Sequence, residues 1–392
     1  MRTLGLLREL SKANEIDMLV LTRQPLSKQQ IAALNKLADN VIRIPLKDVA
    51  VKEKILALTY MVKKKLPYHS AVLISSLRDH PEIRRRIESY PGIVFSNNGH
   101  WGALVHDRRA LNWILNQCDA DVDFWRVYMS HARNLIVKAA SFINWRLAKP
   151  HFKKIYQQVG RIISVCEEDK RLTQKLAPSA KIDIIENGID CSLFTPDKDR
   201  DPMRPPRILF TGTSVRRNIT ALRWFTRKVF PLIRKSLPDV EFLVAGNFHP
   251  KAQKLFNNIP GIVFTGRVED IRPCFNQSDI YVAPFLNAHG SKLKVAEAMA
   301  MAMPLVSTTA GIRGFPLKNG ESVLIAETPD AFAQKCIELL KNASLRFTLG
   351  NSARYHALNT IDWRILGERL RGIVNEHKAN MGMKRSESDG KD

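Results

Sequence analysis

The chain has 392 residues, with 61 lysines and arginines against 38 aspartates and glutamates, a formal net charge of +23. A hydrophobic fraction of 45% and a charged fraction of 25% are those of an ordinary folded protein, which excludes a mostly disordered chain and a collagen-like repeat. At roughly 100–200 residues per domain the length predicts two domains, with three as the alternative. The charge predicts an anionic partner: nucleic acid, an acidic membrane or a phosphorylated substrate.

The first half begins with a predicted helix over residues 1–13, because Leu4, Leu7 and Leu10 share one face. A doubly wound α/β domain normally begins with a strand and a glycine-rich turn, and both are missing here. We therefore expect either a start further upstream or an altered first domain. Candidate strands follow at residues 16–22, 40–46, 71–76, 92–97, 112–118, 161–166 and 181–188.

The second half alternates short apolar runs with helical stretches more regularly. The runs lie at residues 207–212, 241–246, 261–266, 278–284, 304–308 and 322–327, with amphipathic segments at 219–236 and 292–301. Continuous apolar runs of this length indicate strands buried on both faces of a parallel sheet. The alternation predicts a doubly wound α/β domain, whose ligands bind at the carboxyl ends of the strands.

These patterns predict a domain organisation. An N-terminal domain is expected over 1–195, a second domain over 207–362, and a polar, proline-bearing linker over 196–206 between them. A C-terminal helix is expected over 363–383, with a return to the first domain as an open alternative. Residues 384–392 are predicted to be a disordered tail.

The most specific stretch is residues 287–315, a Gly-Ser turn followed by a helix, a buried strand and a second glycine turn. The motifs ENGID, FTGTSVRRN, AGNFHP and GRVEDIRPCFNQSDIYVAP precede it in order, at 186–190, 210–218, 245–250 and 266–284. Together they resemble the signature of retaining glycosyltransferases of family 4 (glycosyl transferases group 1), especially the sugar transferases of exopolysaccharide and cell-surface glycan pathways. The first domain matches only by its pattern and by CDADVDFW at 118–125.

The resemblance implies a GT-B fold, in which two Rossmann-like doubly wound domains face each other across a cleft. It implies an enzyme that moves a sugar from a nucleotide-diphosphate donor to a glycan or lipid-linked acceptor with retention of configuration. No cofactor and no metal are expected, since the nucleotide sugar is a substrate. The alternatives are a non-catalytic or truncated relative, or a sugar-nucleotide epimerase; a nucleic-acid-binding protein is less favoured, since no such motif is found.

Cations in the second half fit this chemistry. Departure of a nucleoside diphosphate builds negative charge, which preorganised cations and helix N-terminal amides stabilise. By resemblance, Arg217 and Lys292 bind the donor diphosphate as catalytic residues, with Arg216 and Lys294 as substitutes. The plainer alternative is a solvated basic loop.

Further positions follow from the resemblance. Glu297 would accept hydrogen bonds from the ribose hydroxyls, and His289 stands where the family has another glutamate, either as a donor to sugar or phosphate or as a bystander. Asp119 and Asp121 would lie near the reacting sugar on the acceptor side, Asp121 as a catalytic residue, or would cap a helix. The remaining donor-binding positions are Gly212, Thr213, Asn218, Gly246, Arg267, Val268, Gly290, Ser291 and Leu293.

Membrane and compartment expectations complete the sequence-based predictions. No apolar run approaches the roughly 18–20 residues that span a bilayer, and no signal peptide is legible. Five widely spaced cysteines without a CxxC pair predict reduced thiols and a cytoplasmic location. Residues 124–166 hold eight lysines and arginines and no acid. This predicts contact with an anionic membrane surface, peripheral at the inner face, or else a core helix with a solvated basic face.

Overall fold

The computed structural model describes residues 2–22, 25–45, 51–78, 80–105, 110–117, 122, 125, 126, 129, 134–197, 205–256, 258–286 and 292–388. The chain divides into two compact units. The first unit is Met1–Ile185 with Gly367–Asp392, and the second unit is Glu186–Leu366. This division falls ahead of residues 196–206, the predicted linker. Every strand pairing among the described residues is parallel, as the predicted α/β class requires.

The described strands of the first unit form two separate sheets, a pair β1-β2 and a four-stranded sheet in the order β3-β4-β5-β6. Six of the predicted runs overlap these strands. Their bounds are β1 Asp17–Thr22, β2 Asn40–Pro45, β3 Val94–Ser96, β4 Ala110–Asn116, β5 Val159–Ser164 and β6 Ile182–Ile184.

One predicted strand of the first unit, residues 71–76, is wrong, because this segment belongs to a helix. The helix begins directly after Pro67, and Ala71 packs against Ala57 and Met61 of the preceding helix. A short apolar run fits a buried helix as well as a buried strand, and here the helical partner decides. The helices are α1 Arg2–Leu10, α2 Lys28–Asn35, α3 Val51–Lys64, α4 Tyr68–Ser76, α5 Pro81–Glu88, α6 Leu135–Gln158 and α7 Glu167–Leu176, with a 3₁₀ helix at Gly99–Val105.

The second unit is built on one six-stranded parallel sheet in the order β12-β11-β10-β7-β8-β9. All six runs predicted in this half contain one of these strands. Because helices cover both faces, the four residues of β10 are all buried. The strands are β7 Arg207–Thr211, β8 Glu241–Ala245, β9 Ile262–Gly266, β10 Ile280–Ala283, β11 Leu305–Ser307 and β12 Leu324–Ile325.

Aromatic side chains fill the core between this sheet and its helices. The ring of Phe225 lies 4.6 Å from that of Phe242 and 5.9 Å from that of Phe332. Such pairs add roughly 0.5–1.5 kcal/mol each beyond the burial of their area. The helices are α8 Arg216–Trp224, α9 Phe230–Ser236, α10 Pro250–Gln253, α11 Arg272–Asn276, α12 Leu293–Ala300, α13 Pro329–Lys341 and α14 Ala343–His356, with π turns at Phe225–Val229 and Ala357–Ile361.

The last helix, α15 Trp363–Ser388, begins in the second unit and continues into the first. Within the first unit, Arg371 pairs with the buried Glu9 of α1 at 3.0 Å, and Arg369 donates to the carbonyl of Ile184 at 2.8 Å. Residues 384–388, predicted to be disordered, form the end of this helix, since an existing helix extends through polar residues at little cost. Residues 389–392 lie outside the described part.

Candidate functional site

The strand order of the second unit identifies its binding edge. The chain runs outward from β7 to β8 and β9 on one side, and β10 lies on the other side of β7. Ligands of open α/β sheets bind at the carboxyl ends of the strands where the order reverses. Here α8 follows β7 and α12 follows β10, so both helices begin at this edge. We call it the switch-point edge; it comprises Gly212, Arg217, Lys292, Lys294 and Glu297.

Backbone segments approach each other closely at the switch-point edge. Gly246, directly after β8, has a φ of +120°, and a Cβ there would lie 2.1 Å from the carbonyl oxygen of Gly212. The amide of Gly212 donates to the carbonyl of Ala245 at 2.9 Å. Only glycine combines this φ with this approach, so both predicted glycines shape the edge.

Lys294 joins the first turn of α12 to the end of β7. Its Nζ donates to the carbonyl of Thr211 at 2.6 Å and to the Oδ1 of Asn218 at 3.1 Å. The ammonium also lies 5.0 Å from the ring centre of Phe210. Asn218 in turn donates to the carbonyl of Thr213 at 2.9 Å, which fixes the loop after β7. Lys294 therefore holds together two segments that carry predicted site residues.

Several cations act on one another here. Burial, followed by the positive charges of Arg217 and Lys292, lowers the pKa of Lys294 to about 7, while the charge of Glu297 opposes this shift. Lys292 is the N-cap residue of α12 and only 4% exposed, whereas Arg217 is exposed. The edge thus gathers positive charge beside the N-termini of two helices, an arrangement that favours an anionic ligand.

Glu297 lies one turn further along α12. Burial raises the pKa of its carboxyl to about 7, and the nearby Lys294 opposes this shift. Burial, with a smaller contribution from the charge of Glu297, raises the pKa of Tyr281, whose hydroxyl lies 3.0 Å from that of Thr211. A carboxyl in this position can accept two hydrogen bonds from a vicinal diol when it is ionised.

The remaining described positions are more peripheral. Arg216 and Arg267 are exposed, and Leu293 is partly buried. Val268 packs against the core of the second unit, after Gly266 with its φ of +70°. His289, Gly290 and Ser291, and the acceptor-side Asp119 and Asp121, lie outside the described residues.

A polar cluster in the first unit was missed by the sequence reasoning. Ser70 Oγ lies 3.1 Å from His100 Nδ1 and 3.1 Å from His151 Nε2. Burial, followed by the charge of His69, lowers the pKa of His100 to about 4, so this ring is neutral at pH 7. His69 lies 5.2 Å from the ring of Trp125. Ser70 and His69 come from α4, His151 from α6 and His100 from the segment after β3. The only sequence signal for this cluster was NNGH at residues 97–100, which follows a predicted strand and ends in His100.

The described residues contain neither a metal-binding cluster nor a membrane-spanning helix. They contain no group of three or more His, Cys, Asp or Glu side chains placed to hold a metal ion. Within the same residues, no helix has both the length and the apolar character needed to cross a bilayer. Cys166, Cys191, Cys274 and Cys336 are buried, and Cys118 lies outside the described part.

Comparison with curated proteins supports the family resemblance. Residues 205–342 match the family model described as Glycosyl transferases group 1. An uncharacterized 44.6 kDa protein in the cps region of Klebsiella pneumoniae is 30% identical over 155 residues, 37% of this chain and 40% of that protein. The capsular polysaccharide biosynthesis glycosyltransferase CapM of Staphylococcus aureus is 25% identical over 236 residues, 55% of this chain and 61% of CapM. The match spans less than two thirds of either relative.

Comparison with solved structures covers nearly the whole chain. Sucrose-phosphate synthase from Thermosynechococcus elongatus superposes with a TM-score of 0.68 at 16% identity, over 97% of this chain and 92% of that one. HepE of Anabaena, solved in complex with UDP and glucose, gives 0.63 at 10% identity, over 95% of both chains. At such identities the likeness shows the fold alone. The chain has the GT-B fold, and its residues 205–342 match the family of glycosyl transferases group 1.

Proposed function

We propose that the chain transfers a sugar from a nucleotide-diphosphate donor to a glycan or lipid-linked acceptor, with retention of configuration, in the synthesis of a cell-surface polysaccharide. The observation that carries the proposal is the switch-point edge, where the positive charges of Arg217 and Lys292 act on Lys294 beside Glu297. The capsular relative CapM and the UDP and glucose bound to HepE support the choice of substrate class.

In the proposed reaction, the bond between the anomeric carbon and the donor phosphate oxygen breaks, and a bond from that carbon to the acceptor hydroxyl oxygen forms on the same face. The proton of the acceptor hydroxyl passes to the departing phosphate. Arg217, Lys292 and the N-terminal amides of α12 stabilise the charge that develops on the diphosphate. Glu297 holds the ribose hydroxyls.

The histidine cluster of the first unit is the best supported acceptor-side group among the described residues. His100 follows β3 at its carboxyl end, and its neutral ring can accept or donate one hydrogen bond at pH 7. Ser70 and His151 hold that ring in place. We assign these residues to positioning an acceptor hydroxyl rather than to carrying charge.

A screen with UDP- and GDP-sugars tests the proposal. Release of nucleoside diphosphate is measured together with the shift in melting temperature on adding each donor, for the wild type, Lys292→Ala and, as a matched control, the partly exposed Lys335→Ala. At least one donor should raise the melting temperature by mass action and be consumed by the wild type and the control only. A donor that is converted to its sugar epimer would indicate an epimerase instead, and no response to any donor would contradict the proposal.

A further inference from the structure

The first half of α6 presents apolar side chains to solvent. Leu135 is 81% exposed and Ile136 is 79% exposed, and Phe142 and Ile143 further along are also exposed. The second half of the same helix is different, since Phe152 and Ile155 are completely buried in the core of the first unit. The helix is therefore anchored at one end and offers apolar surface at the other.

A second helix of the first unit carries a similar outward face. On α3, Ile55, Leu58 and Val62 are exposed by 58%, 54% and 79%. Their spacing of three and four residues places them on one stripe of the helix. The opposite side holds Ala57 and Met61, which are buried. The exposed stripe of α3 is thus an organised face and not a scatter of single residues.

The two helices are tied to the same small core. Ala57 and Met61 of α3 pack with Ala71 of α4, and Leu147 of α6 packs against the same cluster. The side chain of Asn144, also on α6, accepts a hydrogen bond from the amide of Tyr68 at 2.8 Å. Both helices therefore pack on one buried cluster of the first unit.

Cations accompany both apolar faces. Lys63, Lys64 and Lys65 at the end of α3 are exposed. Four exposed cations lie along α6: Lys138, Arg146, Lys149 and Lys153. The sequence from residue 124 to residue 166 contains no aspartate or glutamate. Apolar side chains flanked by lysines and arginines, with no acid on α6 and one, Glu53, on α3, complement a surface of anionic lipid headgroups over acyl chains.

We propose that the exposed residues of α3 and α6 form one docking surface for an anionic phospholipid bilayer. The residues of this surface are Ile55, Leu58, Val62, Lys63, Lys64 and Lys65 on and directly after α3, and Leu135, Ile136, Lys138, Phe142, Ile143, Arg146, Lys149 and Lys153 on α6. The apolar side chains enter the boundary between headgroups and acyl chains, and the cations contact the lipid phosphates. This two-helix surface extends the proposed function, because it places the enzyme where a lipid-linked acceptor would be. Its binding to lipid does not depend on sugar transfer.

Vesicle flotation of the full chain tests the docking surface, with phosphatidylcholine vesicles alone or mixed with phosphatidylglycerol. The double variants are Leu58→Gln with Val62→Gln on α3 and Leu135→Gln with Ile136→Gln on α6. The control is Phe347→Gln with Tyr355→Gln in the second unit, which are 74% and 66% exposed. All six positions are exposed, so the variants should keep the wild-type melting temperature.

The expected result is binding to the mixed vesicles only, weakened roughly tenfold by each of the two test variants and unchanged in the control. Lys138→Gln with Lys149→Gln should weaken binding roughly fivefold or more, and added salt should weaken it further. Equal binding by the test and control variants would contradict the proposed docking surface. So would equal binding of the wild type to neutral and mixed vesicles, or a loss of binding in the α6 variant but not in the α3 variant. Donor-induced thermal shifts measured on the same variants separate a failed docking surface from a failed donor site.

Discussion

The sheets of the two units differ in continuity and burial. In the second unit six strands form one sheet, and every residue of β10 is buried. In the first unit the strands form separate sheets of two and four, and no residue of β1 is fully buried. The second sheet therefore gives the loops at its carboxyl edge a rigid base, whereas the first unit depends more on helix contacts such as that between Arg371 and Glu9.

The largest effect should come from removing a cation at the switch-point edge. Replacing Arg217 or Lys292 by alanine should lower the rate of sugar transfer by roughly 10²–10³-fold, because each cation stabilises charge on the leaving diphosphate. Steady-state kinetics with the donor found in the screen measures this. Lys335→Ala, a partly exposed lysine on α13 paired with Glu338, serves as the control. Near-wild-type rates in both edge variants would show that the edge does not carry the chemistry.

A matched pair of glycine substitutions compares the rigidity of the two units. Gly246→Ala should destabilise the second unit by about 2 kcal/mol or more, because its Cβ would meet the Gly212 carbonyl at 2.1 Å in a backbone with φ of +120°. Gly372→Ala, in the α15 segment of the first unit, meets nothing within 4 Å and should stabilise the chain by about 0.5–1 kcal/mol. Denaturant unfolding measures both changes. Equal effects would mean that the loops after β7 and β8 are not closely packed.

The pH dependence of stability tests the burial of Glu297. Its pKa is raised from 4.5 to about 7, so between these values the folded chain holds a proton that the unfolded chain has released. The free energy of unfolding therefore falls as pH rises through this window. Lys294 has its pKa lowered from 10.5 to about 7, so its contribution to stability rises with pH above 7.

Glu297→Gln removes the fall in the free energy of unfolding between pH 4.5 and about 7, since glutamine does not titrate. The variant should be more stable than the wild type at pH 7 by about 1–2 kcal/mol and similar to it at pH 4. Thermal unfolding across this range measures the difference. The exposed Glu338→Gln is the control, and parallel pH profiles for the wild type and Glu297→Gln would contradict the burial of the carboxyl.

The smallest expected difference concerns local opening. Amides of β1 should exchange with solvent at least roughly tenfold faster than amides of β8, because β1 pairs with one strand and β8 pairs with two. Hydrogen exchange of the unliganded chain measures both segments in one sample. If β1 were protected as well as β8, the contrast between the two sheets would have no energetic counterpart.

The sequence predicted the second unit well, for a physical reason. Continuous apolar runs such as 278–284 arise when both faces of a strand are buried, and that condition holds across this sheet. Residues 71–76 lie in a different environment, because Ala71 packs on helix α3. Only the tertiary structure reveals this contact.

The grouping of the predicted site residues at one sheet edge could be anticipated where they are close in sequence, and their roles stay predictions. Lys292, Lys294 and Glu297 share one helix start, and Arg217 follows the neighbouring strand. The contact between Ser70, His100 and His151 joins three distant segments, and the NNGH sequence after β3 marks only His100. The inward hydrogen bond from Lys294 to Thr211 was also beyond the sequence, which predicted this lysine only as a substitute phosphate ligand.

A crystal structure of the chain with a bound nucleoside diphosphate tests the central claim most directly. We expect the diphosphate oxygens within hydrogen-bond distance of Arg217 and Lys292, and the ribose hydroxyls against the carboxyl of Glu297. A diphosphate bound away from the carboxyl ends of β7 and β10, or these side chains turned away from it, would contradict the account.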